Sequence, residues 1–139
     1  MTPASLALLA ASAALTSPAA ADGLDLLAWS SRALVVVAPS ASDPRLAEQT
    51  RLYAAAARGA RERDLVLVEG VGRDAAAEGL RRRFGVAPDA FVAILVGKDG
   101  GAKLRSAAPI PAERLFAEID QMPMRQDEMR RGVRSGAGR

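Results

Sequence analysis

The sequence predicts an α/β fold in which a mixed four-stranded sheet is flanked by helices. Three apolar runs have the composition of buried strands, helical patterns separate them, and an Asp-Gly turn follows the third run. Helical connections between buried strands favour parallel pairing, and a hairpin adds an antiparallel strand at the edge. The predicted order is therefore strand, helix, strand, helix, strand, strand, helix.

The first strand and the first helix are predicted from adjacent segments. Residues 33–38 are apolar throughout with valines at their centre, which is typical of a strand buried on both faces. Asp43 and Pro44 then favour a helix start, because a carboxylate can accept from the free amides and proline suits the first helical position. We expect this helix to reach about residue 61, with these residues on one side: Leu46, Thr50, Tyr53 and Ala57.

The second strand is predicted at residues 65–68, and we expect Gly70 and Gly72 to end it. Asp74 can cap the following helix, and Gly85 can end that helix in the left-handed conformation. Three consecutive arginines on this helix are interpreted as a solvated face: Arg81, Arg82 and Arg83.

The third strand is predicted at residues 91–96, and the Asp99-Gly100 turn returns the chain into a short edge strand at 102–105. Pro111 is expected to open the last helix and Pro123 to stop it. The resulting order, βαβαββα, is that of the thioredoxin core, a three-layer sandwich. Another small three-layer α/β fold is the alternative, because the order of strands within the sheet cannot be read from the sequence.

The chain contains no cysteine and no histidine. Thiol exchange and peroxide reduction require a thiolate, so the redox chemistry of thioredoxin-like proteins is excluded. Ser40 and Ser42 lie in the loop after the first strand, but no histidine can activate them, and we interpret them as turn and cap residues. We expect no cofactor, and a protein that is not an enzyme is favoured.

Residues 1–21 are predicted to be a signal peptide. The apolar run at residues 6–15 is shorter than the ~20 residues that span a membrane. Ala19 and Ala21 provide the small residues of a cleavage site, which predicts cleavage before Asp22 and a periplasmic or secreted protein. A disordered alanine-rich leader is the alternative interpretation.

The rest of the chain is predicted to be one thioredoxin-like domain over residues 22–131, followed by a disordered basic tail at 132–139. No later stretch is long and apolar enough for a transmembrane helix. The formal net charge of +3 comes almost wholly from arginines near the end of the chain. With a nearly neutral body and few aromatic residues, nucleic acid is not an expected partner.

Four segments together resemble a known family: Leu-Ala-Trp-Ser-Ser-Arg-Ala-Leu-Val at 27–35, Arg-Asp-Leu at 63–65, Gly-Lys-Asp-Gly-Gly-Ala-Lys at 97–103, and Ile-Asp-Gln-Met-Pro-Met-Arg-Gln-Asp-Glu-Met at 119–129. This is the family of exported bacterial proteins of unknown function whose domain also occurs in vertebrate extracellular proteins. The vertebrate members are sushi-repeat-containing and coiled-coil-domain proteins, sometimes grouped as the DUDES proteins. The resemblance implies a thioredoxin- or peroxiredoxin-like fold and an extracytoplasmic location, and it implies no activity.

Two of these segments supply the candidate binding residues. In the hairpin, Lys98, Asp99, Gly100 and Lys103 are consistent either with a small anion site or with a purely structural turn. Near the end of the chain, Asp120, Arg125 and Glu128 are consistent with an arginine pair that holds the tail on the domain, or with an exposed clamp for an acidic partner.

Three methionines and the single tryptophan complete the candidates. Met122, Met124 and Met129 are a weak candidate for Cu(I), since thioethers suit soft metals, and otherwise are flexible hydrophobic side chains. Trp29 is expected to anchor the edge of the core.

The predicted function is that of a non-redox module that is exported and binds a protein or a small molecule. One alternative is a peroxiredoxin-derived enzyme or enzyme subunit that acts without cysteine. Another is a scaffold domain of an envelope assembly. The sequence leaves open whether the hairpin and the C-terminal motif form one surface.

Overall fold

A computed structural model describes the backbone of residues 20–137 and the side chains of residues 24–132. Its elements are α1 (Ala20–Leu27), β1 (Arg32–Ala38), α2 (Pro44–Ala55), α3 (Ala57–Glu62), β2 (Leu65–Val71), α4 (Ala75–Phe84), β3 (Val92–Val96), β4 (Ala102–Ser106), α5 (Ala112–Asp120) and α6 (Pro123–Ala137). The predicted α/β class and mixed four-stranded sheet are confirmed. The predicted signal peptide lies outside the described residues except for Ala20 and Ala21, which begin α1.

The sheet has the strand order β2-β1-β3-β4. β1 pairs in parallel with β2 and antiparallel with β3, and β4 is the antiparallel edge strand that the Asp99-Gly100 turn predicts. Every residue of β1 is buried, because neighbouring strands pair with both of its edges and helices cover both of its faces.

Alternate residues of β1 belong to two separate cores. Leu34 and Val36 pack with residues of α2 and α5, including Leu46, Leu115 and Ile119. Val35 and Val37 pack on the other face with Leu24 of α1 and Leu80 of α4. The molecule therefore has three layers, with the sheet in the middle.

The first predicted long helix is interrupted. Asp43 caps α2 as expected, its Oδ1 accepting from the backbone N–H of Arg45 at 2.9 Å. The helix ends at Ala55, however, and α3 begins at Ala57. Thr50, predicted on the same side as Leu46, is exposed, and the buried face of α2 instead presents Gln49, whose amide exchanges two hydrogen bonds with the backbone of Ile110.

Gly70 does not end the second strand, which continues to Val71. A Cβ on Gly70 would lie 2.8 Å from Cδ1 of Leu80 and 3.0 Å from Cα of Ala77. The glycine therefore allows α4 to approach the sheet closely. Gly72 follows the strand directly with a φ of +76°.

Both predicted ends of α4 are confirmed. Asp74 accepts from the backbone N–H of Ala77 at 2.8 Å, and Gly85 ends the helix with a φ of +65°. The interpretation of Arg81 as part of a solvated face is wrong, because Arg81 is only 3% exposed, whereas Arg82 and Arg83 are exposed. Arg81 lies one helical turn after the buried Ala77, so it occupies the same face.

Near the end of the chain, α5 ends before Pro123 as predicted, but Pro123 begins a further helix that was not predicted. Proline is tolerated in the first turn because its missing N–H would be unpaired there. α6 continues to Ala137, into the segment predicted as a disordered tail, and the limits of the domain stay predictions.

Trp29 is not an anchor of the core edge, because 67% of it is exposed. It lies two residues after the end of α1 with a φ of +71°, in the left-handed region. Among the described residues no helix is long and apolar enough to cross a membrane.

Candidate functional site

Charged side chains from four separate segments meet at one end of the sheet, where β1 and β2 begin and β3 ends. We call this group the ion cluster, and its members are Arg32, Arg63, Asp64, Lys98, Asp120, Arg125 and Glu128. Each lies at a strand end, in a turn, at the end of α5 or in the first turns of α6.

Glu128 of α6 is the centre of one half of the ion cluster. Arg32 donates to both of its carboxylate oxygens, with Nη1–Oε1 and Nη2–Oε2 distances of 3.2 and 3.1 Å. Lys98 donates to Oε2 at 2.8 Å. Arg32 and Lys98 are buried and have little contact with solvent. The Glu128 carboxylate therefore supplies negative charge to two cations that water cannot stabilise.

Asp120 is the centre of the other half. Arg63 holds it in a bidentate pair, with Nε–Oδ1 and Nη2–Oδ2 distances of 3.0 Å each, and Arg125 Nε donates to Oδ1 at 3.0 Å. The Arg63 guanidinium also lies 4.2 Å from the ring centroid of Phe116. This arrangement fastens the end of α3 to the junction of α5 and α6.

The two halves are joined through the turn that precedes β2. Arg32 Nη1 donates to the backbone oxygen of Arg63 at 2.7 Å, and Lys98 Nζ donates to Asp64 Oδ2 at 2.9 Å. Asp64 has a φ of +51°, which places its backbone in the left-handed region where aspartate is tolerated better than most residues.

Burial and hydrogen bonding act in opposite directions on the two central carboxylates. Burial works to raise the pKa of Glu128, but the hydrogen bonds from Arg32 and Lys98 outweigh it and the pKa lies below its ordinary value. Burial likewise opposes the hydrogen bonds from Arg63 and Arg125 at Asp120, whose pKa is also lowered. Both groups are therefore ionised at neutral pH.

A cavity of about 300 Å³ adjoins the ion cluster. It lies between the β3–β4 hairpin and the α5–α6 junction, and its lining residues are Arg32, Gly97, Lys98, Asp99, Lys103, Glu118, Gln121, Met122, Pro123 and Met124. Arg32 and Lys98 thus belong to both the ion cluster and the cavity. The Nε of Arg32 is buried and has no hydrogen-bond partner among the described residues.

The family model of a domain of unknown function (DUF4174) matches residues 23–128, which is more than half of the chain. The chain belongs to the DUF4174 family. The matched segment ends at Glu128, so it contains the whole ion cluster and the whole cavity lining. No curated protein and no solved structure matches the chain.

In this DUF4174 domain the two predicted binding segments meet directly, at the contact between Lys98 and Glu128. The structure divides the predicted residues between the two features. Lys98, Asp99 and Lys103 line the cavity, and Asp120, Arg125 and Glu128 belong to the ion cluster with Lys98. Gly100 contributes the positive φ of +84° that the hairpin turn requires.

Three members of the ion cluster were not among the predicted site residues: Arg32, Arg63 and Asp64. The available signal was their position, since Arg32 begins the buried strand β1, and Arg63 and Asp64 immediately precede the apolar first half of β2. A charged residue at such a position needs an oppositely charged partner. The sequence contains candidate partners but does not show which of them forms the pair.

The methionines of the DUF4174 domain separate into two groups. Met122 and Met124 line the cavity, and Met129 is not among the lining residues. No set of three or more histidine, cysteine, aspartate or glutamate side chains able to hold a metal occurs in the described part of the chain. No metal site was predicted, and the structure does not test copper binding by the methionines, which the sequence offers only as a weak candidate.

Proposed function

We propose that this DUF4174 protein is an exported, non-redox domain of thioredoxin fold that binds a small molecule in the cavity beside the ion cluster. The observation that carries the proposal is the composition of the cavity walls. Met122, Pro123 and Met124 provide apolar contact, while Arg32 and Lys98 provide buried cationic donors. A concave apolar site with a few convergent polar groups is the usual form of a small-molecule site.

The thioredoxin assignment is supported by topology. The order of elements is βαβαββα over β1 to α5, when α2 and α3 are counted as one connection. The central strand β1 lies between its parallel partner β2 and the antiparallel β3, and β4 is at the edge. A parallel βαβ unit joined to an antiparallel hairpin and a final helix is the arrangement expected for that fold.

The loop after β1, where redox members of the fold carry their thiols, supports a non-redox function. The hydroxyls of Ser40 and Ser42 lie 3.1 Å apart and are exposed, and Asp43 is occupied as a helix cap. Among the hydrogen bonds described for this loop, none joins either serine hydroxyl to a side chain that could act as a base. We therefore expect no peroxide consumption by the purified protein without added metal, and clear turnover would contradict the proposal in favour of a peroxiredoxin-derived enzyme.

The chemistry of the walls also limits the ligand. The unused Nε donor of the buried Arg32 favours a ligand with a hydrogen-bond acceptor. The methionines favour a ligand that also has an apolar part. Lys103, paired with Asp99 at 2.8 Å, can turn toward a ligand because its side chain is one-third exposed. The proposed ligand is therefore a small amphipathic molecule with an anionic or otherwise accepting group.

The test uses 8-anilinonaphthalene-1-sulfonate, an apolar ring system with one sulfonate, titrated into the full chain and followed by fluorescence. We expect saturable binding with one site. Met124→Ala should weaken it about fivefold, since about 1 kcal/mol of apolar contact is lost. Met129→Ala is the matched control, because it removes a methionine outside the cavity lining and should leave the affinity unchanged.

Binding that never saturates would contradict the proposal, and so would equal losses in Met124→Ala and Met129→Ala. Near-ultraviolet circular dichroism of each variant separates these outcomes from loss of the native fold, because a partly unfolded protein also enhances the fluorescence of this probe.

A scaffold function is the second candidate, and it is favoured by two exposed apolar side chains. Leu26 is 83% exposed and Trp29 is 67% exposed, and both lie at the end of α1. Aromatic side chains are common anchors of protein interfaces. Chemical cross-linking in the periplasm distinguishes the candidates: a scaffold should be recovered with a stoichiometric partner that Trp29→Ser abolishes, whereas a small-molecule binder should not.

Export is tested separately by the intact mass of protein recovered from the periplasm or the medium. The predicted mature chain begins at Asp22. Recovered protein that still begins at Met1 would show that the leader is not a cleaved signal peptide.

A further inference from the structure

A second group of unsatisfied donors lies at the opposite end of the sheet from the ion cluster. Arg81 of α4 is 3% exposed, and its Nη2 donates to the backbone oxygen of Ala38, the last residue of β1, at 3.2 Å. Its Nε and Nη1 have no hydrogen-bond partner among the described residues. The buried guanidinium therefore makes one long hydrogen bond.

The counter-ion of Arg81 is held loosely. Glu78 Oε2 lies 3.6 Å from Arg81 Nη1, which is beyond a good hydrogen bond, and the Glu78 side chain is more than a third exposed. A buried charge with unmade hydrogen bonds is costly, and an exposed carboxylate at this distance compensates only part of that cost. Arg81 is thus able to accept a better anionic partner.

An open depression of about 500 Å³ leads to this side chain. It is lined by Glu78, Arg81, Arg82, Gly85, Val86, Ala87 and Pro88. Arg82 is exposed and has no ion pair among the described residues, so its guanidinium is available at the rim. Within this lining the two arginines outnumber the single carboxylate of Glu78.

We infer that this depression is a binding site for a phosphate group, in which Arg81 is the buried anchor, Arg82 closes the rim, and Glu78 is displaced by the ligand. Guanidinium groups match the geometry of oxyanions, and phosphate accepts several such hydrogen bonds at once. A ligand that displaces Glu78 must bind Arg81 better than a carboxylate does. The higher charge of phosphate satisfies this condition and acetate does not.

This site is independent of the cavity beside the ion cluster and shares no lining residue with it. It is also distinct from an exposed basic patch, because its anchor is buried. The phosphate group can be inorganic phosphate or part of a larger phosphate ester, and the chemistry at Arg81 is the same for both.

The test is thermal unfolding of the full chain at pH 7 with increasing sodium phosphate, at an ionic strength held constant with sodium chloride. We expect a saturable rise in Tm with phosphate that acetate does not produce, because a ligand that binds only the folded state stabilises it by mass action. Glycerol 3-phosphate is the ester arm. A rise in Tm with the ester identifies a phosphorylated solute as an acceptable ligand. A rise in Tm with inorganic phosphate alone identifies the free ion. Either result supports the site.

Two variants with opposite expected effects make the test specific. Glu78→Gln removes the competing charge and should tighten phosphate binding severalfold, whereas Arg82→Gln should weaken it severalfold. Arg114→Gln, an exposed arginine on α5, is the matched control and should change nothing. Arg81→Gln should abolish the rise, and if that variant does not fold, the opposed effects of the other two still decide the question.

The inference is overturned if phosphate and acetate shift Tm equally at constant ionic strength. It is also overturned if phosphate binds with the same affinity to the wild type, Glu78→Gln and Arg82→Gln, because the ion then binds elsewhere.

Discussion

At the scale of single residues, the main determinant of the site is the burial of cations at the ends of strands. Arg32 and Arg81 mark the two ends of the central strand, and both are almost completely buried. They differ in their partners: Arg32 has the carboxylate of Glu128, whereas Arg81 has a backbone oxygen and a loosely held Glu78. Arg32 is thus held in a bidentate ion pair with one Nε donor left unused, whereas Arg81 has two unused donors and no close carboxylate.

Replacing Glu128 tests the structural role of its ion pairs. Glu128→Gln should lower the free energy of unfolding by about 3 kcal/mol, because it leaves the buried Arg32 without an anionic partner and Lys98 with Asp64 alone. Chemical denaturation at pH 7 measures the change. Glu113→Gln, an exposed glutamate on α5, is the control and should change stability by less than about 0.5 kcal/mol. Equal effects of the two substitutions would show that the cluster contributes little.

The lowered pKa values of Glu128 and Asp120 predict the direction of the pH dependence. Their ordinary values in an unfolded chain are about 4.3 and 3.9. Because the folded-state pKa values are lower, their stabilising contribution is fully present above the unfolded values and is lost as the pH falls through the folded ones.

The free energy of unfolding should therefore decrease as the pH is lowered from about 5 to about 3. Glu128→Gln should show a shallower decrease over the same range, since one of the two carboxylates is absent. A variant with the same slope as the wild type would show that Glu128 does not have a lowered pKa.

At the scale of elements, close packing between α4 and the sheet depends on Gly70. An alanine there would bring its Cβ within 2.8 Å of Leu80 Cδ1 and 3.0 Å of Ala77 Cα, and one of these contacts belongs to the backbone. Gly70→Ala should therefore destabilise the protein by about 1–3 kcal/mol, as measured by thermal or urea unfolding.

Gly132 of α6 provides the opposite case. Apart from the adjacent backbone of α6, no described atom lies within 4 Å of a Cβ at this position, so Gly132→Ala should be neutral or stabilise the protein by up to about 1 kcal/mol through helix propensity. If both alanine variants had the same effect, steric crowding under α4 would not be the reason for Gly70.

Element boundaries show where local sequence signals are sufficient. Asp43, Asp74 and Gly85 mark helix ends in the sequence and do so in the structure, because a cap depends only on its immediate neighbours. Pro123 was interpreted as a stop, yet it begins α6. A proline is compatible with both roles, and the choice depends on whether the following residues have something to pack against or pair with.

At the scale of the whole molecule, the ion cluster connects parts that are distant in the chain. Lys98 lies in the hairpin and Glu128 in α6, and both contact groups at the start of the sheet. Lys98→Met and Glu128→Gln should therefore be non-additive, with the double variant more stable than the sum of the single changes predicts by at least about 1 kcal/mol.

The control for this coupling is Lys98→Met combined with Glu48→Gln. Glu48 pairs with Arg51 on the exposed side of α2 and, among the described residues, makes no hydrogen bond or ion pair with the ion cluster. Its effect should add to that of Lys98→Met within about 0.5 kcal/mol. Additivity in both double variants would mean that the hairpin and α6 are not energetically linked.

The class of the fold and the exclusion of thiol chemistry both follow from the amino-acid sequence alone. Strands, the hairpin and the caps are local features, since each depends on hydrophobic composition or on backbone preferences over a few residues. The lack of cysteine and histidine can also be read directly from the sequence. Lys98, Asp120, Arg125 and Glu128 were also predicted from their motifs, but without their partners.

Which charged side chains are buried, and which of them form pairs, depends on the tertiary structure. Arg81 and Arg82 are neighbours in the chain, and helical rotation places one beneath the end of β1 and the other at the surface. Arg32, Asp64 and Lys98 come together because parallel β1 and β2 begin at the end of the sheet where antiparallel β3 finishes. Contacts of this kind depend on strand order and helix packing, which no short segment of sequence specifies.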